Sequence, residues 1–600
     1  MQLETIDWAI IIAFFALSLA IGLFAARKSG NSAADFFLSG RDMPWWLLGF
    51  SMVATTFSAD TPNLVTDIVR QNGVSGNWQW WAFLLTGMLT VFVYARLWRR
   101  SGVLTDLEFY ELRYSGKEAA FLRAFRSVYL GLLFNIVIMA TVCLAAIKIG
   151  SVLLGFSPAQ TLIVASVVTV IYSSIGGLKG VILTDFFQFI IAMVGSIGAC
   201  IVVLNLPEIG GVQGMMQHSE VLERMSFFPD FSNPKVYIPL FLIPLAVQWW
   251  SVWYPGAEPG GGGYIVQRML SAKDEKHAFK ATLFFNVAHY ALRPWPWILI
   301  GLASLVIYPM TPDPTAIAGS LEARGLASLA AAFPDLPADK IGHDLAYPAM
   351  LRFLPVGLMG LVVASLIAAF MSTLSTHLNW GASYLVNDLY VRFIKPEASQ
   401  KEQVNAGRIV TVLLMALAAL LALTMQNALD AFNIILQIGA GTGLIFILRW
   451  FWWRISAYTE IAGMIISFVV ALAFHFLKPG WAAEFQLLLS VAITTFGWLL
   501  VTFLTPATDT ETLQKFYKLI KPWGRSWLQF SNGEKVGTDS NALPFQILAM
   551  LLGCIAVYSA LFATGSFLYQ DYSNAWILTA ITAISTLAIG LLWKKISGKN

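Results

Sequence analysis

The hydroxyls of Ser372, Thr373, Ser375 and Thr376 fall within five residues, inside an apolar run that begins near Val356. On an α-helix, Ser372, Ser375 and Thr376 share one face through i+3 and i+4 spacing, while Thr373 points about 100° away. The carbonyl of Ala369, one turn earlier, joins Ser372 and Thr373. Two adjoining groups of uncharged oxygens at membrane depth suit a small hard monovalent cation. Such an ion needs fewer carboxylates than a divalent ion in an oxygen cage. The same residues have a plainer use, because Ser and Thr in membrane helices also bond back to their own i−4 carbonyls or tie helices together. Both uses stand at this point.

The elements that must position these hydroxyls are helices in a bilayer. The 600 residues are 57% hydrophobic and only 12% charged, with a mean hydropathy of +0.68. A soluble domain carries about a quarter charged residues, so the composition reads as an all-α polytopic membrane protein. Its partner is the lipid bilayer, and no nucleic acid is expected. Cys143, Cys200 and Cys554 lie far apart in apolar segments, which gives neither a disulfide framework nor a metal knuckle. Residues Met1 to Asp7 are acidic, and no small-residue cleavage pattern precedes Arg27 and Lys28, so the first apolar run is a retained helix.

Spanning helices need about 20 mostly apolar residues. About fifteen such runs occur between residues 6 and 594. With the amino terminus outside and the carboxy terminus cytoplasmic, 29 of the 38 Lys and Arg residues fall on the cytoplasmic side, a strong positive-inside bias. That places the chain in a cell membrane as a multi-pass protein. An outer loop at 309–354 is expected to form a short helical cap. In the cytoplasmic segment 505–543, Leu513, Phe516, Tyr517 and Ile520 recur at helical spacing against lysines, so this part should lie on the membrane surface.

Two spans are interrupted. The run 44–70 contains Ala54-Thr55-Thr56-Phe57-Ser58-Ala59-Asp60-Thr61-Pro62, and the run 236–262 ends in Tyr254-Pro255-Gly256-Ala257-Glu258-Pro259 and four glycines. Helix interiors do not tolerate such stretches, and unwound backbone at membrane depth must line a cavity or be buried in protein. The breaks are five spans apart, in corresponding positions of two five-helix halves. This is the pattern of an inverted-repeat transporter with its sites at the breaks. The expected division is an extra helix and loop at 1–39, a first repeat at 40–210, an outer loop at 211–235, a second repeat at 236–455 with its ion-site helix at 355–383, and further helices over 456–600.

Short motifs then carry a resemblance. They are Gly40-Arg41, Gly176-Gly177-Leu178-Lys179-Gly180 leading to Thr184-Asp185 and Gln188, Tyr264-Ile265-Val266-Gln267-Arg268 with Ser271-Ala272-Lys273, and the hydroxyls at 372–376. Together, over roughly residues 6–504, they resemble the sodium/solute symporter family, which includes sodium/glucose, sodium/proline and sodium/sialic-acid transporters. The resemblance implies a leucine-transporter-like five-plus-five core with extra flanking helices, and Na+ as coupling ion. It also implies a first Na+ site at the Ala54, Phe57 and Ala369 carbonyls and the Ser372 and Thr373 hydroxyls. A second Na+ site at Asp185, Ser372, Ser375 and Thr376 follows from some members. Tyr264 matches a tyrosine that closes the substrate pocket from inside in sugar-transporting relatives.

Two departures bear on substrate. Thr56 stands where the proline branch is acidic, and no Arg lies between Ser127 and Ile147 to grip a sialic-acid carboxylate. Ser58, Asp60, Trp253, Glu258, Tyr264, Asn433 and Gln437 are the candidate substrate or gate residues, with Trp249, Trp250, Tyr254, His289 and Arg293 nearby. Aromatic rings with amides suit a sugar, whereas Asp60 or Glu258 with tryptophans suits an ammonium compound or an amino-acid-like solute. The function expected is secondary active import of a small organic solute by alternating access, with two Na+ per solute. A sodium-permeable channel and a non-transporting membrane sensor are the rivals. The six histidines show no metal-ligand spacing, and no nucleophile elbow or phosphate loop is present, so no enzyme is expected.

Overall fold

The computed structural model describes residues 3–596 apart from 30–31, 252–257, 318–319, 335–337, 339–340, 426–438, 440, 478–479 and 532–541. The described residues form helices joined by turns and loops, and the pairing of Met43 with Ala272 is an isolated β-bridge. Among the described residues, eleven helices are long and apolar enough to cross a membrane. They differ from the fifteen expected runs in an instructive way. The runs at 44–70 and 236–262 are broken into shorter pieces, and 428–450 lies largely outside the described residues. The runs at 157–177 and 180–206 join as one stretch, Pro158–Leu204, that turns at Gly177. There φ is +55°, and an added Cβ would stand 2.7 Å from the Phe36 carbonyl, so only glycine fits.

The elements that matter for the site are α1 (Thr5–Ser29), α2 (Trp45–Thr55), α3 (Thr61–Asn72), α4 (Val74–Ser101), α5 (Gly116–Ile147) and α6 (Pro158–Leu204). They continue with α7 (Gly263–Ser271), α8 (Glu275–Ile307), α9 (Leu358–Ile394) and α10 (Gln400–Thr424). α8 and α9 are the most deeply buried of the long helices. α10 instead exposes Ile409, Val412, Leu413, Leu417, Leu420 and Leu423, a stripe at helical spacing that only a lipid solvent accommodates.

α9 begins at a strained glycine, Gly357, whose amide and that of Gly360 both donate to Asp7 Oδ1 at 2.7 Å. Asp7 thus reaches from α1 to satisfy the orphan donors at the start of the hydroxyl-bearing helix, where a carboxylate also meets the positive end of the helix dipole. α3 is anchored at its far end. Arg70 is buried and donates to the Ser304 hydroxyl and carbonyl at 3.0 and 3.1 Å, to the Tyr308 carbonyl at 2.9 Å and to His343 Nδ1 at 3.4 Å.

His343 belongs to the loop at 309–354, which carries the helical turns Ala327–Ala332 and Ala346–Leu351 as expected of a cap. The segment at 510–520 differs from expectation. Leu513, Phe516, Tyr517 and Ile520 are buried against protein rather than laid on a membrane surface. Phe516 packs on Phe109 and Trp527 at centroid distances of 5.7 and 5.4 Å, and the Arg113 guanidinium lies 4.9 Å from the Trp527 ring. The helical periodicity was present in the sequence, but its apolar face is covered by aromatic residues distant in the chain.

Burial and the neighbouring Arg70 push His343 down to about 4 from its ordinary 6.5. The folded state therefore holds it neutral, and the stability this contributes is complete above about 6.5 and is lost as the pH falls toward 4. The thermal midpoint of the purified chain is expected to fall over that range, and His343→Asn, which keeps an acceptor but cannot take a proton, should blunt the fall.

Candidate functional site

The break between α2 and α3 follows from local chemistry. Thr56 turns its hydroxyl back to the Met52 and Val53 carbonyls at 3.1 and 2.9 Å, the chain leaves the helix at Phe57, and Pro62 restarts it in the first turn of α3. The second break is forced by glycine. Gly260 and Gly261 have φ of +85° and +94°, and a Cβ on Gly260 would meet the Tyr94 ring at 3.0 Å. This break is fastened on one face of the protein. Asp106 accepts from the Gly263 amide at 2.9 Å and the Tyr384 hydroxyl at 2.5 Å, and Trp98 donates to the Gly260 carbonyl at 2.9 Å. Arg99 reaches the Ala272 carbonyl at 2.6 Å.

A cavity of about 360 Å³ opens beside the first break. Gln71 and Asn72, both exposed, lie at its mouth, and Tyr264, Thr373 and His377, all buried, form its floor. Ser58, Asp60, Gln79, Trp80, Gln248, His289 and Arg293 stand on the walls. Arg293 donates to the Thr56 hydroxyl at 3.1 Å, with His289 Nδ1 3.0 Å from the same oxygen. The Tyr264 ring lies 5.6 Å from His377 and 6.5 Å from Trp380, a plate of rings between the cavity and the fastened second break.

The predicted residues of the first ion site are buried, and Thr373 among them belongs to the cavity floor. Ala54, Phe57, Ala369, Ser372 and Thr373 are each at most 4% exposed. Thr373 donates to the Thr55 carbonyl at 3.0 Å and so joins α9 to the first break. Ser372 donates to Asp185 Oδ1 at 2.7 Å, and Ser51 donates to Asp185 Oδ2 at 2.5 Å. Thr55 gives its proton to the Ser51 carbonyl at 2.9 Å, so Thr376, 2.9 Å away, is the donor between the two hydroxyls. Of the quartet Ser372, Thr373, Ser375 and Thr376, only Ser375 bonds back along its own helix, to the Ser372 carbonyl at 3.0 Å.

The sequence-derived substrate residues divide. Ser58, Asp60 and Tyr264 line the cavity. Glu258 does not; it is buried at the second break in an ion pair with Arg126. Trp253, Asn433 and Gln437 lie outside the described residues. Sequence reasoning missed Thr55, Trp80, Gln79, Gln248 and the floor residue His377. It also counted Arg268 among the cytoplasmic basic residues, whereas the side chain is wholly buried beside Asp185. The signal was available, because Arg268 lies one helical turn after Tyr264.

The pattern of the sodium:solute symporter family matches residues 36–467, most of the chain. The chain belongs to this family. It is therefore an integral membrane transporter and not an enzyme. The symporter is 27% identical over 507 residues to a sodium/glucose cotransporter of Vibrio parahaemolyticus, covering 82% of this chain and 89% of that one. It is 26% identical to a sodium/mannose cotransporter of Bos taurus, covering 80% of each. Among solved structures, its fold is similar to the substrate-bound outward-open state of a Na+-coupled sialic acid symporter. That likeness has a TM-score of 0.68 at 20% identity and covers 84% of this chain and 99% of the other.

If the ring plate retains solute, Tyr264→Ala should leave Na+-dependent stabilisation of the purified symporter largely unchanged while solute accumulation in proteoliposomes falls several-fold. Unchanged accumulation would reduce Tyr264 to a packing residue.

Proposed function

We propose that the chain imports a small polyhydroxylated solute, a sugar or polyol, by alternating access, with Na+ as the coupling ion. Na+ coupling is the property of the family. The solute class rests on the cavity walls, where Gln71, Asn72, Gln79, Gln248, Ser58 and Asp60 offer both donors and acceptors around the Trp80 ring. The named activities of the relatives on glucose and mannose agree with it. Thr56 and the lack of an Arg between Ser127 and Ile147 speak against proline and sialic acid.

One observation carries the coupling. Thr55 and Thr373 both line the cavity and also belong to the oxygen cluster at the first break. An ion at the Ala54, Phe57 and Ala369 carbonyls and the Ser372 and Thr373 hydroxyls is therefore one residue from the solute. We further read a second Na+ at Asp185, Ser372, Ser375 and Thr376, giving two ions per solute. Moving one charge through 100 mV is worth about 2.3 kcal/mol, so the second ion doubles the electrical drive on a neutral solute. The core would comprise inverted repeats at 40–210 and 236–455, amino terminus outside, with flanking helices that bring the spans to about fifteen. In this orientation the mouth at Gln71 and Asn72 faces outward and the bolted second break faces the cytoplasm.

Three measurements test the reading. Uptake should cease when Na+ is replaced by choline, and Thr373→Ala should raise the Na+ requirement about ten- to a hundredfold, as loss of a buried polar contact of roughly 1–3 kcal/mol dictates. Efflux through an open pore, without exchange of labelled solute, would instead favour a channel. The reversal potential of solute-coupled current should report two charges per solute, falling to one in Asp185→Asn.

A further inference from the structure

Arg268 reaches the second ion site from α7 with its side chain wholly buried. Its Nε donates to Ser51 Oγ at 3.0 Å. Its Nη2 donates to Thr376 Oγ1 at 2.6 Å and Thr55 Oγ1 at 3.3 Å, and lies 3.6 Å from Asp185 Oδ2. Its Nη1 faces the Tyr264 carbonyl and Gln267 Oε1, both at 3.4 Å. One nitrogen of this guanidinium thus stands against both Asp185 and Thr376, two of the four residues assigned to the second Na+. An ion bound to those oxygens would share them with a fixed positive charge. At such separations like charges repel strongly when little water intervenes. The Thr376 oxygen, already taken at 2.6 Å, has no room for a short bond to an ion on the same side.

We propose that Arg268 is a tethered cation that competes with Na+ for Asp185 and Thr376, so the guanidinium withdraws from these two groups when the ion binds. The proposal rests on the two-ion reading of the site. The side chain is suited to this role, because its planar fork spans Ser51, Thr55 and Thr376 together, where a lysine ammonium reaches fewer acceptors. The exchange also keeps the buried Asp185 carboxylate in contact with a cation at every stage, and removing one partner of a buried pair without a substitute is costly. Because Arg268 shares a helix with Tyr264, the competition links the second ion to the plate under the cavity. Arg268 is a positioning and affinity-setting residue, not a ligand of the solute.

The test is a Na+ titration of the purified full-length chain, following thermal stabilisation with choline replacing Na+ at constant ionic strength, together with the charge-to-solute ratio in proteoliposomes. Arg268→Gln should lower half-saturating Na+ by about tenfold or more, since a repelling charge is gone, and Asp185→Asn in the same background should abolish the gain. Arg268→Lys, a weaker competitor with the charge kept, should lower it by roughly a few-fold and carries the test if the Gln variant does not fold. Half-saturation that is unchanged or raised in a folded Arg268 variant, with two charges per solute in the parent, overturns the competition alone. One charge per solute in the parent, indifferent to Asp185→Asn, overturns the two-ion reading and this proposal with it.

Discussion

Asp185 has no access to water, and a buried carboxylate must be answered by donors or cations from its surroundings. Ser51 from α2, Ser372 from α9 and Arg268 from α7 supply that answer, so one side chain of α6 draws four helices to a point. Much of the remaining architecture can be seen as holding those donors in place. Asp7 fixes where α9 starts, Gly177 lets α6 turn beside Phe36, and Arg70 pins the far end of α3. None of these contacts belongs to the cavity, yet each fixes the height at which an oxygen stands relative to the first break.

The two breaks are unlike in how they are supported. The first is stabilised from within, by the hydroxyl of Thr56 on the preceding turn and Pro62 on the following one. The second depends on distant partners, because glycines supply no side chains of their own. Asp106 and Trp98 hold its backbone, and Arg126 holds its carboxylate, Glu258. A segment whose described residues are fastened by distant side chains can be released by changing those partners, which suits an element that must open one face of a carrier.

What could be read from the chain alone follows from the range of each interaction. The hydroxyl quartet and both breaks were legible because their chemistry is local: helical spacing, proline and glycine. Of these, the first break and Thr373 line the cavity, while the second break lies beyond the Tyr264 plate. The partners of charged groups were not legible. Glu258 and Arg126 are 132 positions apart, and Arg268 reads as a topogenic charge until the fold brings it to Asp185. The segment at 510–520 shows the same limit, since its amphipathic period was plain but the aromatic surface that covers it is assembled from residues near 109, 450 and 527. The division at Gly177 was seen as a boundary between runs, but not as a turn within a continuous helical stretch.

Thr373 has a consequence that is thermodynamic rather than geometric. It touches the cavity on one side and the carbonyl of Thr55 on the other. Any free energy by which a bound ion favours the solute must pass in equal measure from the solute back to the ion. With the ion at this wall, the coupling between the two affinities is a single quantity seen from two sides. With the ion there, a chemical change to the solute that is felt at Thr55 or Thr373 alters how tightly the protein holds its cation, and selectivity among solutes cannot be tuned there without also retuning the salt on which the carrier depends.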